Sequence, residues 1–397
     1  MSWQIYPASA LAQFVPEWDR LNAEGPASPL LSSAFVTPLL RHFGTGKEVL
    51  ACLMAGNRAT AMLLLKPHGR GVWETFQPSQ APLGVGVRGP GLDWPECLAA
   101  LLPALPGMTT LVGITQQDPD LEARPADGAR QTTIDYIRTA RITITGSFDT
   151  YWSGRGKNLR QNLKKQRNRL EKDAVATRLE IITDAADVAQ AVADYGRLES
   201  AGWKAKGGTA VHANNAQGRF YCEMLENFCR QGRGRIYRYW YDAQLAAMDL
   251  CVEGDDSIIV LKTTYDEQVA RTTSPALLMR QEAVALLFAQ ARLRRIEFYG
   301  KVLDWHMRWT DEIRTMYHVN VYRWRGLLLL RRLLSRRSRG DFNPTAAVTD
   351  PSAQYPTTPT IHRVKTHAPY SANHHATQRG AAPRPTHDVA GRIATAR

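Results

Sequence analysis

The sequence holds no apolar run approaching ~18 residues, so no transmembrane helix is expected. Its first twenty residues, MSWQIYPASALAQFVPEWDR, lack a basic stretch followed by an apolar one. That argues against a signal peptide, and the expected address is cytoplasmic. Cysteine is scarce. The five are Cys52, Cys97, Cys222, Cys229 and Cys251, an odd number without C-x-x-C spacing. Most sit among apolar residues, so buried free thiols are expected rather than disulfides or a metal site.

Acidic residues are also short in supply. Lys and Arg number 50 against 37 Asp and Glu, a formal net charge of +13. Such an excess favours anionic partners. Much of it lies at the end: residues 336–397 carry nine Lys/Arg against three Asp. That stretch is rich in Pro, Thr, Ala and His and has little to bury, so residues 331–397 are expected to be a basic disordered tail. It contains five of the ten histidines, read as unconstrained rather than metal-binding. Just before it, GLLLLRRLLSRRSR (residues 326–339) fits a capping element with a charged exit. Peripheral membrane contact by a basic amphipathic helix is the competing reading.

What remains has an ordinary globular balance, 44% hydrophobic and 22% charged. Its length suits two domains. Helix-like and strand-like segments alternate in both halves. Residues 49–55 and 59–67 read as strands joined by the turn Gly56-Asn57, and residues 235–241 and 244–253 as a hairpin around Asp242-Ala243. Helix, hairpin, strand, helix, strand occurs twice, which suggests a weak internal duplication. The expected fold is α/β: two tandem units, residues 1–145 and 146–330, each with a mixed central sheet flanked by helices.

The most informative stretch is 257–300. SIIVLKTT is nearly continuous in apolar residues, as a strand buried on both faces would be. A loop, YDEQVARTTS, leads into PALLMRQEAVALLFAQA, whose Leu277, Leu278, Val284, Leu287 and Phe288 suit a buried helix. RRIEFYG is the next strand. Strand, helix, strand at this length is a parallel crossover. Ser274 fits an N-cap and Pro275 the first helical position. With Arg271, Thr272, Thr273 and Ala276, the loop has the parts of a diphosphate cradle at a helix N-terminus. A plain capped helix would look the same. The first half has QAPLGVGVRGPG at the corresponding place, read as a turn less suited to phosphate.

Arg271-Thr-Thr-Ser274-Pro-Ala276 resembles the Arg/Gln-x-x-Gly-x-Gly/Ala phosphate loop of GNAT acetyltransferases, with Ser at the first Gly position and Pro before the Ala. Together with Tyr151-Trp152, Arg155-x-Lys157-Asn158-Leu159-Arg160, Glu199-x-x-Gly202-Trp203-Lys204, Leu261-Lys262, Tyr265-Asp266-Glu267 and Glu297-Phe298-Tyr299-Gly300, the pattern resembles the BioF2-like branch, associated with cellulose and exopolysaccharide biosynthesis. The resemblance covers residues 145–330 well and 1–145 loosely. It implies acetyl- or another acyl-coenzyme A as donor, no metal, and a small-molecule or saccharide acceptor. The donor's phosphates would meet Arg271, Thr272, Thr273, Ser274, Ala276 and Lys262, and its arm would lie between two splayed strands. Glu297 is the expected base and Tyr299 the expected acid, on one face of a strand, with Asp266 a further catalytic candidate. Asp266 and Lys262 also fit a structural ion pair, and Tyr299 a core aromatic. Glu199, Trp203, Lys204, Arg155, Lys157 and Trp305 are candidates for the acceptor pocket, with Asp304 and Trp309 nearby.

RGKNLRQNLKKQRNRLEK, residues 155–172, carries eight Lys/Arg with Leu159, Leu163 and Leu170 on one helical stripe. A solvated basic face is the plain reading; contacts to donor phosphates, an anionic acceptor or RNA are the functional ones. Fem-type aminoacyltransferases, which share the doubled architecture and use aminoacyl-tRNA, are the first alternative. The long helical-hairpin insertion some of them carry is missing here, so nucleic acid is not the expected partner. A catalytically inactive scaffold in a polysaccharide-synthesis complex is the second.

Overall fold

The computed structural model describes residues 1–201, 211–212, 214–269 and 273–329. Trp203, Lys204, Arg271, Thr272 and the basic tail therefore lie outside the described residues.

The first half runs β1 (Ser2–Pro7), α1 (Leu11–Glu24), α2 (Ser33–Phe43), β2 (Val49–Ala55), β3 (Arg58–Gly69), β4 (Val72–Thr75), β5 (Gly86–Arg88), α3 (Trp94–Ala104), β6 (Leu111–Gln117) and β7 (Gln131–Thr143). The second runs α4 (Phe148–Ser153), α5 (Lys157–Lys172), β8 (Thr177–Ile182), α6 (Val188–Ala201), α7 (Ala216–Arg230), β9 (Gly234–Tyr241), β10 (Gln244–Glu253), β11 (Ser257–Tyr265), α8 (Pro275–Gln290), β12 (Arg295–Phe298), α9 (Asp304–Trp309) and β13 (Ile313–Tyr322). Both predicted hairpins form. Gly56 turns the first at φ 60 and Asp242 the second at φ 50, left-handed values that suit a tight reversal.

The strands join one mixed sheet in the order β1-β2-β3-β4-β6-β13-β7-β12-β11-β10-β9-β8, with β5 alongside β3. The order is nearly symmetric about its middle. β4 lies parallel to β6 with α3 between them in sequence, and β11 lies parallel to β12 with α8 between them. The closing strands are exchanged: β7 pairs with β12 of the second half, and β13 pairs with β6 of the first as well as with β7.

Helices cover both faces. On one face a single apolar cluster spans both halves beneath α1, α2, α6 and α7, where Phe220 meets Phe35 and Phe43 edge-on at 5.4 and 5.5 Å. On the other face α3 covers the first half, and α5 and α8 cover the second. The sequence sets this layout. In α5 Leu159, Leu163, Gln166 and Leu170 are buried on one stripe, which leaves most of the basic residues outside. β10 is buried along nearly its whole length, as expected of an interior strand. No described helix is long and apolar enough to cross a membrane.

Candidate active site

Each half contains a fork, where two parallel strands run side by side and then part. In the first, β4 and β6 pair only over Val72–Leu111 to Glu74–Gly113. The chain itself fills the gap beyond. Gly84 donates its amide to Gln116 O (3.4 Å) and Val85 to Phe76 O (3.2 Å), while β5 pairs with β3. A Cβ at Gly84 would run into the Thr115 carbonyl and the Thr75 hydroxyl. The Gly-rich run expected to be a turn is thus partly a strand, and its glycines permit close approach of backbone.

In the second fork, β11 and β12 pair only over Ser257–Arg295, Ile258–Ile296 and Ile259–Glu297. β11 then continues to Tyr265 with β10 as its one sheet partner among the described residues, so the predicted splaying of these strands is present. Leu261 is an extra residue in that ladder, since Cys251 pairs with Val260 and Leu250 with Lys262. The bulge turns Lys262 toward α6 and α7. There its Nζ lies 3.4 Å from Glu199 Oε1 and 5.6 and 6.0 Å from the rings of Tyr221 and Tyr195. Two residues expected to serve donor and acceptor separately therefore meet. Lys262 does not pair with Asp266, contrary to the structural alternative. Asp266 instead accepts from Gln244 Nε2 and the Gln268 amide at the exit of β11.

Thr263 turns the opposite way, toward α8. Arg280 crosses to it, bonding Thr263 Oγ1 (2.9 Å) and the buried Asp249 Oδ2 (2.8 Å). Its guanidinium lies 5.1 Å from the ring centre of Phe298 and 4.6 Å from that of Trp305. Trp305 stacks on His306 at 3.6 Å, and His306 Nδ1 accepts from the Leu303 amide. Burial, and next the nearby Arg280 charge, pull His306 down to about 3. Trp309, considered for the acceptor pocket, is fully buried and belongs to the core.

The turn ahead of α8 is more committed than its sequence suggests. Ser274 stands at the N-cap, but its hydroxyl accepts no capping bond. Its amide donates to Gln166 Oε1 of α5 (2.6 Å), and its carbonyl receives Leu277 and Leu278. Thr273 is buried, with its hydroxyl bonded to Tyr241 and Val269. Ala276 is half-buried. The Gln166 contact brings the basic helix against the turn, and Arg167 on α5 binds Gln281 and Glu282 of α8. Among the described residues, Lys157, Lys164, Lys165 and Lys172 have no carboxylate at ion-pair distance. The first turns of α5 and the C-terminal end of α9 flank an open groove of about 790 Å³, lined by Arg155, Asn158, Asn162, Lys165 and Arg308 among others. Arg155 is anchored to Trp309 O (2.9 Å) and beside Asp311 (3.6 Å); Lys157 is exposed.

Glu297 and Tyr299 share the β12 face toward α6 and α7, as the alternation predicts, and both are buried. Arg314 of β13 sits between them, 2.8 Å from Glu297 Oε2 and over the Tyr299 ring at 5.1 Å. Tyr299 donates to Asp118 Oδ2 (2.8 Å), just past β6. Burial raises the Glu297 carboxyl above its ordinary range, although Arg314 opposes the rise. Burial, and then Asp118, push the Tyr299 phenol well up, which makes it a weaker acid. Asp118, Arg280 and Arg314 escaped the sequence reading, because nothing local signals that residue 118 meets residue 314.

Comparison with known proteins fits this geometry. Residues 157–307, from α5 through α9 and around the second fork, match the family model described as acetyltransferase (GNAT) domain. That span is similar to a GNAT acetyltransferase domain, and the fold around it is mixed α/β. No curated protein matches the chain. Among solved structures, the C-terminal DUF2156 domain of a protein described as a lysylphosphatidylglycerol synthetase from Agrobacterium fabrum is similar at 13% identity and TM-score 0.51, covering 82% of this chain and 96% of that one. A conserved protein of unknown function from Bacteroides thetaiotaomicron (9% identity, TM-score 0.49, 78% and 97% covered) and FemX (9%, 0.49, 81% and 98%) are also similar.

Proposed function

We propose that this protein is an acyltransferase of two GNAT-like units, which moves an acetyl or other acyl group from acyl-coenzyme A to an amine or hydroxyl acceptor. A saccharide of the cell envelope is the acceptor class, and the donor implies work in the cytoplasm. The observation that carries the reading is the divergence of β11 from β12 beyond Ile259 and Glu297, at the head of α8. The first fork is filled by its own chain, so one donor binds per chain.

The thioester supplies an activated acyl carbon. Main-chain groups of β11 past Ile259 hold the donor arm as an added strand would be held. In this reading the diphosphate docks at the head of α8 by Ser274 and Ala276, Arg271 and Thr272 are its expected further ligands, and the lysines of α5 supply the surrounding positive field. Glu297 takes the proton of the attacking acceptor as the new acyl bond forms, the carbon–sulfur bond breaks, and coenzyme A leaves as its thiolate, which solvent protonates; the raised proton affinity of Glu297 suits that work near neutral pH. Tyr299, hydrogen-bonded to Asp118 and made less acidic, anchors the end of β12 in this reading.

Acetyl-coenzyme A at ~100 times its Kd should stabilise the fold by about 2.7 kcal/mol. Arg271→Glu should remove that shift while the fold persists. Retention of the full shift would reject the donor site. Glu297→Gln should fold normally and lose the acid limb of kcat/KM along with most turnover; full turnover would remove Glu297 as base. The lysines of α5, which meet no carboxylate among the described residues, also favour a second reading, a polyanionic aminoacyl-tRNA donor. It requires salt-sensitive tRNA retention that Lys164→Glu with Lys165→Glu abolishes, and no response to coenzyme A.

A further inference from the structure

Arg314 serves two carboxylates unequally. It grips Asp118 at two points, Nε to Oδ1 (2.9 Å) and the second terminal nitrogen to Oδ2 (2.7 Å). That grip fixes the plane of the guanidinium. The remaining nitrogen is 2.8 Å from Glu297 Oε2, but that contact lacks the alignment of the grip on Asp118. At that distance Glu297 feels Arg314 first through its charge and only then through a poorly aligned contact. Arg295 is its other cation, at 3.8 Å, and Arg295 is itself held by Asp256 at 2.9 and 3.0 Å. Around Arg314 stand Tyr299 and Asp120, the latter 3.4 Å away and paired with Arg141, which also binds Glu312 (3.2 Å). Asp118, Glu297 and Arg314 are nearly closed to solvent, so charge inside this group is weakly screened.

We propose that Asp118 is a positioning residue for Glu297: by holding Arg314 in a two-point grip it limits what Glu297 receives from that cation, so the first half of the chain tunes the base carried by the second. The exchange of closing strands makes this possible. β13 lies between β6 and β7, so its Arg314 reaches Asp118 beyond the end of β6 and Glu297 on β12 together. Asp118 acts in two ways of the same sign. Its negative charge disfavours ionisation of Glu297, and its grip keeps Arg314 from turning fully onto Glu297. The proposal rests on the reading of Glu297 as base.

The test separates the two. Protein carrying ¹³C-labelled glutamate carboxyls is titrated by NMR, with Glu297 assigned by the signal lost in Glu297→Gln. In Asp118→Asn, which keeps shape and loses charge, the Glu297 midpoint should fall by about one pH unit. Asp118→Glu should restore most of the wild-type value. Glu122→Gln removes a neighbouring carboxylate that pairs with Arg88, and should leave the midpoint in place. The acid limb of kcat/KM should move with the NMR midpoint. If Asp118→Asn does not fold, Asp118→Ser is read in the same way. An unmoved Glu297 midpoint, or an equal fall in Glu122→Gln, overturns the proposal. A shifted midpoint in an enzyme whose Glu297→Gln variant retains turnover would overturn the base assignment alone.

Discussion

Acidification should expose His306 before most other buried groups. Burial first, and then the Arg280 charge, keep a second proton off its ring in the native state, where Nδ1 accepts the Leu303 amide and the ring stacks on Trp305. The folded value is about 3 against an ordinary 6.5. The unfolded chain therefore takes up a proton that the folded chain refuses, and stability falls as pH drops below 6.5 and continues to fall until about 3. From pH 7 to pH 5 the linkage relation gives a loss of about 2 kcal/mol from this histidine alone. The assay compares urea-unfolding free energies at the two pH values for the wild type and for His306→Gln, whose amide oxygen can still accept the Leu303 bond. Contributions of all other groups cancel in the difference. The wild type should lose about 2 kcal/mol more than the variant. Equal losses would mean that His306 is charged in the native state at pH 5, and would refute this account of the α9 stack.

Three further outcomes follow from packing. Phe220→Ala should cost about 3–5 kcal/mol in urea unfolding, since its ring ties α2 to α7 through Phe35 and Phe43; a loss below about 1 kcal/mol would mean that this joint is loose. Gly84→Val should cost about 1–3 kcal/mol by crowding Thr75 and Thr115, and an unchanged melting temperature would show that residues 84–88 do not fill the first fork. Burial pushes the Cys52 thiol up to about 12 and Cys251 well above its ordinary value, so both should resist iodoacetamide at pH 8. Alkylation of Cys251 in the folded protein would contradict its place in β10.

The sequence made the local elements legible and left their long-range partners hidden. Strands 49–55 and 244–253 are found at those bounds, because alternation and turn residues are written within a few positions. The face shared by Glu297 and Tyr299 follows from a period of two. By contrast, β7 and β13 carry no marker of their exchange, and they bring Arg314 to Glu297. The cradle ahead of α8 looked freer than it is, because Gln166, 108 residues earlier, reaches the Ser274 amide. A polar side chain on a helix stripe otherwise made of leucines was the one available hint. Lys262 and Asp266 sit close enough in sequence to suggest a pair, but the bulge at Leu261 sends Lys262 to Glu199.

The exchanged closing strands also limit how this chain can be divided. A cut near residue 145 would give the N-terminal piece a strand whose neighbours β12 and β13 both lie on the other piece, while leaving β6 with a bare edge. Each fragment would expose a long row of unpaired amides and carbonyls, the template on which strands of foreign chains assemble. Produced apart, the pieces should be sticky; produced together, each holds the missing strand of the other.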